Sequence, residues 1–306
     1  MSAVLAFGEG LMTVNRPADQ PPPLWGRCWM AAAGAEMNVA IGLARLGHAV
    51  RWATALGDDP LGDAVAAAAR GEGVAVEAAR CNQRTGMLVK VAHADAEPEV
   101  IYYRDGSAFA CAPPQPDPAG ARAVVLSGVT PALSPACRAT ARRLVDDAAA
   151  AGVPLWFDLN LRRKLWSESE AAPELRWFSA RADIVFAADD EAAVVVGAAP
   201  PDEQARRLVA LGARLAVVKA GAVAVAADAT GVIGAPRLAG VTVRDPIGAG
   251  DAFDAGFLSA VLDGLPTPDG LQRGHHCAAA VCRTFGDWEG FPLRRDLARE
   301  AGRAGR

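Results

Sequence analysis

Short apolar runs that predict strands alternate with amphipathic segments of about ten residues along most of this chain. The clearest strands are predicted at Val4–Phe7, Val50–Leu56, Val124–Leu126, Leu155–Phe157, Ile184–Phe186 and Leu215–Val218. Helices are predicted between them, at Met37–Leu46, Ala64–Arg70, Arg138–Ala151 and Asp202–Leu211. A helix between two strands returns the chain to the same edge of the sheet, so such strands run parallel. The pattern therefore predicts an α/β fold, with a mostly parallel sheet covered by helices on both faces.

Two segments break this alternation and predict excursions from the α/β core. Residues 11–32 are rich in proline and tryptophan and show no helical period. Residues 86–104 alternate as paired strands around a polar turn at Asp95–Pro98. Both segments are interpreted as antiparallel excursions, and 306 residues suffice for one large core that carries them or for two ordinary domains.

Charge and composition limit the classes of partner. The net charge of −4 and the absence of a basic run argue against a nucleic-acid-binding surface. No stretch approaches the ~20 uncharged apolar residues that span a bilayer, and no export signal is visible. The six cysteines show no C-x-x-C pairing and no metal-ligand spacing, which fits free thiols in a reducing compartment. We therefore expect a cytoplasmic protein without a nucleic-acid or membrane partner.

Gly248-Ala249-Gly250 leads directly into an apolar-periodic segment that predicts a buried helix ending near Gly264. Glycine leaves the backbone unhindered, and the first N–H groups of a helix lack intrahelical partners, so an anion site is expected here. Asp251 places a carboxylate at the opening of this expected anion site. That carboxylate can serve as an N-cap, or it can accept a proton from a hydroxyl that attacks a bound phosphoryl group.

Asp245–Phe257, DPIGAGDAFDAGF, resembles the second signature of the ribokinase-like (PfkB-type) carbohydrate kinases, D-x-x-G-A-G-D. Ala33–Gly47 resembles the first signature, G-G-x-x-x-N-x-A, with Ala33 in place of the first glycine. No Walker A motif occurs, which argues against a P-loop mechanism. The resemblance covers essentially the whole chain. It implies a single domain over residues 1–306, a ribokinase-like three-layer α/β/α core with a small antiparallel β lid formed by the two excursions.

The resemblance also implies the chemistry, phosphoryl transfer from ATP with Mg²⁺. The aspartate that corresponds to Asp251 is the catalytic base of the family, and the amides of the Gly248–Asp251 segment form the anion hole. Val217–Gly221 resembles the strand and turn before the nucleotide pocket. Contacts to the nucleotide are implied for Asn160, Arg162, Lys219, Gly221, Gly248 and Gly250.

Two metal positions follow from the same resemblance. Glu191 keeps the glutamate of the family's N-x-x-E motif, although Ala188 replaces the asparagine, and is expected to order a magnesium-bound water. Many ribokinase-like kinases also hold K⁺, and the matching groups here are Asp245 and the carbonyl of Ile247. The alternative is that Asp245 bonds neighbouring backbone amides, as loop aspartates often do.

Substrate preference depends on Ile101–Ala108, Phe157–Trp166 and Gly286–Pro292, which look like the corresponding segments of 2-keto-3-deoxygluconate kinases. An arginine guanidinium binds a carboxylate through two parallel hydrogen bonds, whereas a neutral sugar has no carboxylate and needs no such contact. In that subgroup the sugar-acid pocket is lined by the residues matching Gly34, Asn38, Tyr103, Arg104, Arg162 and Asp287. Arg162 lies where this pocket meets the nucleotide phosphates, so it could bind either anion.

The expected activity is therefore ATP-dependent phosphorylation of the primary hydroxyl of 2-keto-3-deoxygluconate or a close sugar acid. The resemblance further implies a homo-oligomer formed through the β lid. A neutral-sugar kinase of the fructokinase or ribokinase type is the alternative enzyme. A catalytically silent sugar-acid sensor would not need Asp251, and a nicotinamide dehydrogenase would need a glycine fingerprint that is absent after the first strand.

Overall fold

The computed structural model describes residues 2–16, 28–91 and 99–297, so the turn expected at Asp95–Pro98 lies outside the described residues. The strands are β1 (Val4–Phe7), β2 (Leu11–Arg16), β3 (Trp29–Ala33), β4 (Val50–Gly57), β5 (Ala75–Cys81), β6 (Gly86–Val91), β7 (Glu99–Tyr103), β8 (Val124–Ser127), β9 (Leu155–Asp158), β10 (Ile184–Ala188), β11 (Leu215–Ala220), β12 (Val223–Asp228) and β13 (Gly231–Pro236). The helices are α1 (Ala35–Arg45), α2 (Pro60–Gly71), α3 (Ala108–Cys111), α4 (Val129–Leu133), α5 (Pro135–Ala150), α6 (Glu168–Ser179), α7 (Asp189–Val196), α8 (Pro201–Leu211), α9 (Ala249–Leu262) and α10 (Thr267–Cys282).

The large sheet has the strand order β13-β12-β11-β10-β9-β8-β1-β4-β5. Its strands are parallel except at one end, where β11, β12 and β13 form antiparallel pairs. Alternate residues of β1 enter two different apolar cores: Val4 and Ala6 pack with α1, α9 and α10, whereas Leu5 and Phe7 pack with α5, α6 and α8. This sheet with a helical layer on each face confirms the predicted three-layer α/β/α core.

The two excursions form a second sheet, with the order β3-β2-β6-β7, which is called the lid below. Each excursion is an antiparallel hairpin, β2 with β3 and β6 with β7, as expected. The two hairpins join through a parallel pairing of β2 with β6, which the sequence pattern did not predict. One face of the lid carries Leu11, Leu88 and Tyr102, and these side chains turn toward the core.

Among the predicted helices, α2 and α5 begin furthest ahead of the start that apolar periodicity predicted. The α2 helix begins at Pro60, because the side chain of Asp59 accepts the amide of Gly62 at 2.7 Å. The α5 helix begins at Pro135, where Ser134 accepts the amide of Cys137 at 3.0 Å. A polar N-cap followed by proline at the first helical position is a start signal that an apolar period alone does not detect.

The carboxyl ends of the parallel strands meet at one edge of the large sheet, and the lid and the start of α9 lie at this same edge. Ligands of open α/β sheets bind outside the carboxyl ends of the strands. In the part of the chain that the structure describes, no helix is long and apolar enough to cross a membrane.

Candidate active site

A cavity of about 160 Å³ lies between the lid and the carboxyl edge of the large sheet. The lid contributes mainly apolar side chains and one lysine, namely Leu11, Leu88, Lys90, Val100 and Tyr102. The core contributes a glycine-rich backbone and most of the charged groups, among them Glu9, Gly34, Asn38, Arg162, Asp251 and Asp287. Residues from opposite ends of the sequence therefore surround one volume.

The N-terminus of α9 points its free amides at this site. Gly248 is the N-cap residue with φ of +79°, and a Cβ there would overlap the carbonyl oxygen of Asp287. The amide of Ala249 donates to Pro246 O at 3.3 Å, so this amide is used within the turn, contrary to the expected anion hole. The amides of Gly250 and Asp251 have no acceptor within the described residues, and they are therefore the donors available to an anion.

Asp251 is the third residue of α9, and its side chain makes no capping hydrogen bond, so the N-cap interpretation is wrong. Asp251 is 9% exposed, and Asn38 Nδ2 donates to Oδ2 of its carboxylate at 2.7 Å. Burial raises the pKa of Asp251 to about 7, the charges of Asp158 and Asp287 add to the rise, and Asn38 and Arg162 oppose it. A carboxylate with a pKa near neutral pH is suited to general-base catalysis.

This pKa predicts the pH dependence of turnover. Asp251 must be deprotonated to accept a proton, so kcat/KM should fall about tenfold per pH unit below pH ~7 and level off above it. The measurement is kcat/KM for the sugar at saturating ATP between pH 5 and 9. An ascending limb centred near pH 4, the ordinary range of a carboxylate, would contradict a base buried in this way.

Gly34 and Asn38 lie at the cavity as expected, but Asn38 already has a partner. A Cβ on Gly34 would overlap the carbonyl oxygen of Glu9, which accounts for glycine at this position. The amide donor of Asn38 is bonded to Asp251, while its Oδ1 is buried without a partner in the described parts of the chain. Asn38 therefore orients the base, and its free oxygen can accept from a substrate hydroxyl.

The two arginines expected to bind a carboxylate differ in their environments. Arg104 is 6% exposed, and its Nε and Nη2 both donate to Oε2 of Glu9, with the Nε contact at 2.8 Å. Arg104 is thus paired within the protein and is not the free clamp that was expected. Arg162 is exposed, lines the cavity and has no hydrogen-bond or ion-pair partner among the described residues. The free guanidinium at the cavity is therefore that of Arg162.

The structure also corrects the expected tyrosine. Tyr103 is 52% exposed on the outer face of β7, whereas Tyr102 lies on the inner face and lines the cavity. Successive side chains of a strand point to opposite faces, so Tyr102 shares its face with Arg104 and Tyr103 cannot. Asp287 does line the cavity, where its carboxylate pairs with Lys90.

Lys219 was expected at the nucleotide, but its ammonium is held by two carboxylates. Nζ donates to Asp254 Oδ1 at 2.9 Å and lies 3.7 Å from Asp158 Oδ2. Burial opposes the charge, but Asp158 and Asp254 outweigh it and raise the pKa of Lys219. A Cβ on Gly250 would lie 3.8 Å from Nζ, so the ammonium lies next to the first turn of α9. Lys219 therefore lies beside the anion hole with its charge already balanced by carboxylates.

Asn160 and Gly221 are the other expected nucleotide contacts. Asn160 has φ of +36°, the one positive φ of a non-glycine residue in the described ranges, and its Nδ2 lies 3.3 Å from Asp158 Oδ2. A strained backbone of this kind is typical of functional sites. Gly221 lies in the exposed turn between β11 and β12, with φ of +48°, and no described residue other than its chain neighbours lies within 4 Å of the position its Cβ would take. Both roles stay predictions.

The expected metal positions have protein partners. Glu191 accepts the amides of Leu161 and Ala188, each at 2.9 Å, and burial followed by the charge of Asp158 raises its pKa. Each oxygen keeps a lone pair that could accept from a metal-bound water. Asp158 Oδ1 is buried and has no partner among the residues that the structure describes, as expected of a group that meets a cation. Among the described side chains, no group of three or more His, Cys, Asp or Glu could by itself hold a metal ion.

Asp245, expected beside K⁺, bonds backbone amides instead. Its Oδ1 accepts the amide of Ile247 at 3.0 Å, and its Oδ2 accepts that of Gly286 at 3.3 Å. This is the alternative that the sequence left open. These bonds fix the turn before Gly248 without an ion, and the K⁺ site stays a prediction.

Free amides at a helix start, a buried carboxylate beside them and a cavity under a lid are the arrangement expected of a sugar kinase. The chain belongs to the pfkB family of carbohydrate kinases, whose family model matches residues 1–293. It is 32% identical over 277 residues to 2-dehydro-3-deoxygluconokinase of Bacillus subtilis (87% of this chain, 85% of the relative). It is 31% identical over 294 residues to 2-dehydro-3-deoxygalactonokinase of Haloferax volcanii (93% and 92%).

The comparison with solved structures agrees with this assignment. The crystal structure of a PfkB protein from Polaromonas sp. JS666 matches with a TM-score of 0.85 and 35% identity, covering 97% of this chain and 99% of that one. Plant fructokinases are also among the relatives, at 28 to 31% identity. The chain is therefore an ATP-dependent sugar kinase of the pfkB family. Its relatives are named for different sugars.

Proposed function

We propose that this kinase phosphorylates the primary hydroxyl of 2-keto-3-deoxygluconate or a close sugar acid. The observation that carries the proposal is the unpartnered guanidinium of Arg162, which lines the same cavity as the base Asp251. This exposed guanidinium is free to bind an anion, and the carboxylate of a sugar acid would pair with it while the far end of the sugar is presented to the base. The two relatives named above act on such sugar acids by name.

In the proposed reaction, Asp251 accepts the proton of the primary hydroxyl as the hydroxyl oxygen attacks the γ-phosphorus of ATP. The bond between that phosphorus and the bridging oxygen of ADP breaks on the opposite side. The amides of Gly250 and Asp251 donate to the transferred phosphoryl group. One such donor is typically worth about 3–4 kcal/mol, and a general base contributes about a hundred- to ten-thousandfold.

Magnesium would neutralise charge on the phosphates of ATP, as in other phosphoryl transfers. Asp158, through its unpartnered Oδ1, and Glu191, through a bound water, are the residues that would hold it. The pairing of Arg104 with Glu9 removes one of the two arginines on which the sugar-acid assignment was first based. A neutral-sugar kinase therefore remains the second candidate, and the fructokinases among the relatives favour it.

Arg162→Ala tests the choice between these substrates. We expect KM for 2-keto-3-deoxygluconate to rise about ten- to a hundredfold, since a charged hydrogen bond is worth roughly 1.5–3 kcal/mol. KM for fructose should change little, and Arg162→Lys should rescue only part of the loss. The measurement is coupled ADP release with each sugar.

Arg163→Ala is the matched control. Arg163 follows on the same segment but pairs with Glu168 and Asp190 on the surface, and such pairs contribute little. An equal loss on both sugars in Arg162→Ala would support the neutral-sugar kinase. A rise confined to KM for ATP would assign Arg162 to the nucleotide phosphates.

We further propose a cytoplasmic homo-oligomer that associates through the lid. The outer face of the lid exposes Met30 and Tyr103, which are 53% and 52% exposed. Large exposed apolar side chains on one face are typical of a surface that contacts another protein. This assembly also gives a role to Tyr103, which the structure places outside the cavity.

A further inference from the structure

Glu36 is a buried carboxylate that the proposed reaction does not use. It is the second residue of α1, it is 2% exposed, and it lines the cavity together with Gly34 and Asn38. Its Oε1 accepts hydrogen bonds from the amide of Ser127 at 3.0 Å and from the hydroxyls of Ser127 and Thr130, each at 2.8 Å. One oxygen therefore joins the start of α1 to the end of β8 and to α4.

The residues that donate to this carboxylate are themselves fixed. Gly128 donates its amide to Asp158 O at 2.9 Å, and a Cβ on Gly128 would overlap the carbonyl oxygen of Leu159. The hydroxyl of Ser127 also accepts the amide of Val129 at 3.2 Å. This turn cannot move without breaking these contacts, so it is a fixed anchor for the carboxylate.

The other side of the carboxylate lies against Gly8, the residue after β1. A Cβ on Gly8 would overlap Oε2 and Cδ of Glu36, although Gly8 has no positive φ that would itself require glycine. The amide of Gly8 donates to Ala53 O at 3.3 Å, and its carbonyl accepts the indole N–H of Trp52 at 3.2 Å. The close approach of the Glu36 side chain therefore accounts for glycine at position 8.

Stability alone does not account for a carboxylate at this place. Burial raises the pKa of Glu36, and the hydrogen bonds from Ser127 and Thr130 oppose that rise without cancelling it. The ionised form is thus costly here, and an apolar side chain of similar size would avoid the cost. Hydrogen bonds, however, fix the distance and direction of their partners, which apolar contacts do not. The arrangement is therefore suited to holding a geometry.

The geometry next to Glu36 is that of Asn38 and the proposed base. Gly34, the N-cap residue of α1, offers no side chain to cap the helix, so the hydrogen bonds of Glu36 hold its first turn in place. Asn38 follows in this helix, and its Nδ2 donates to Oδ2 of Asp251 at 2.7 Å. This bond lowers the pKa of Asp251 against the effect of burial. A shift in the first turn of α1 would change it directly.

We infer that Glu36 is a positioning residue, which holds the start of α1 so that Asn38 orients the base Asp251 toward the substrate hydroxyl. The inference rests on the proposed function in one respect, namely that Asp251 is the base, and it does not depend on which sugar is bound. Glu36 touches no reacting atom in this role. Its loss should therefore affect turnover and its pH dependence rather than the binding of ATP.

Glu36→Ala is the first test, because it removes all three hydrogen bonds. We expect kcat to fall about ten- to a hundredfold with little change in KM for ATP, since a small displacement of a reacting group is costly. The ascending limb of kcat/KM should move to higher pH by about one unit, because the donor that lowers the pKa of Asp251 is displaced. The other charges that act on Asp251 remain in the variant, namely Asp158, Asp287 and Arg162. An unchanged limb would overturn the inference.

Glu36→Gln separates position from charge. Glutamine keeps an oxygen that can accept from Ser127 and Thr130, so kcat should return to within about threefold of the wild type, with the limb near its original pH. Equal impairment of the glutamine and alanine variants would show that the charge of Glu36 matters rather than its hydrogen bonds. That result would contradict a positioning role.

Asp183→Ala is the matched control. The carboxylate of Asp183 also accepts a strand amide, that of Leu155 at 3.0 Å, but it lies where β9 and β10 begin, at the edge of the sheet opposite the cavity. This variant should lower the melting temperature without moving the limb. If the limb moved equally in Glu36→Ala and Asp183→Ala, lost stability would explain it and the inference would fail.

Gly8→Ala tests the same contact with Glu36 left in place, and it keeps the inference testable if Glu36→Ala does not fold. The new Cβ should displace the carboxylate, so kcat and the limb should change as in Glu36→Ala. The double variant Gly8→Ala/Glu36→Ala has room for this Cβ and should be no worse than Glu36→Ala alone. Additive losses, or normal kinetics in Gly8→Ala, would contradict the inference.

The wild-type pH profile and Asp251→Asn separate failure of the inference from failure of the proposed function. If Asp251→Asn keeps its turnover, Asp251 is not the base, and the proposed mechanism and the inference fail together. If Asp251→Asn is impaired while the Glu36 variants behave like Asp183→Ala, only the role of Glu36 is overturned. Any sugar that the enzyme phosphorylates serves for these measurements.

Discussion

Asp251→Asn is expected to lower kcat by a hundredfold or more while KM for ATP and the stability of the fold change little. Asparagine has the shape of aspartate but cannot accept the proton of the sugar hydroxyl. The orphaned Asn38 Oδ1 can accept from the new amide group, so the buried contact survives the change. The measurements are steady-state kinetics and thermal unfolding of the purified variant.

Asp269→Asn supplies the control for this variant. Asp269 is the third residue of α10, as Asp251 is of α9, so both substitutions remove a carboxylate from the same position in a helix. Asp269 is exposed and distant from the cavity lining, and its loss should leave kcat unchanged. If the two variants had equal turnover, Asp251 would have no role beyond its place in the helix.

Gly248→Ala is expected to reduce kcat by at least a hundredfold and to lower the melting temperature. A left-handed φ costs an alanine about 1–2 kcal/mol. The larger effect arises because the new Cβ would overlap the backbone oxygen of Asp287, which cannot rotate away as a side chain can. The start of α9 must shift instead, and an anion hole is typically sensitive to the loss of one donor by a hundred- to a thousandfold.

Gly264→Ala separates the cost of the left-handed backbone from the effect of the overlap with Asp287. Gly264 follows the other end of α9 with φ of +73°, close to the +79° of Gly248, but no atom lies within 4 Å of its Cβ position. This control should lose stability to the backbone cost alone and keep its turnover. If Gly248→Ala lost no more stability and no more activity than Gly264→Ala, the anion hole would not depend on this close approach.

The proposed base and anion hole could be located from the sequence because their residues are neighbours in the chain. Gly248, Gly250 and Asp251 come within one helical turn, so a local pattern fixes their relation to each other. Even there the tertiary structure altered a detail, because the amide of Ala249 donates to Pro246 O and is therefore not available to a bound anion. Whether Asp251 would be buried enough to raise its pKa also depended on the packing around it.

The substrate side of the cavity was harder to predict, since its partners lie far apart in sequence. Glu9 is 95 residues from Arg104, and no local signal distinguishes the paired Arg104 from the free Arg162. Tyr102 and Lys90 were missed although a signal existed. The period of two along β6 and β7 places Tyr102 on the same face as Arg104, and Lys90 on the same face as Leu88.

The sequence by itself determined the α/β class, the two lid hairpins, the glycine-rich start of α9 and the carboxylate beside it. Each of these follows from interactions between residues close together in the chain, such as helix periodicity, strand alternation and the conformational freedom of glycine. Only the tertiary structure decided that the two hairpins join through β2 and β6, and which charges meet across the cavity. Those contacts span many tens of residues, and packing of the whole core, rather than any local preference, brings their partners together.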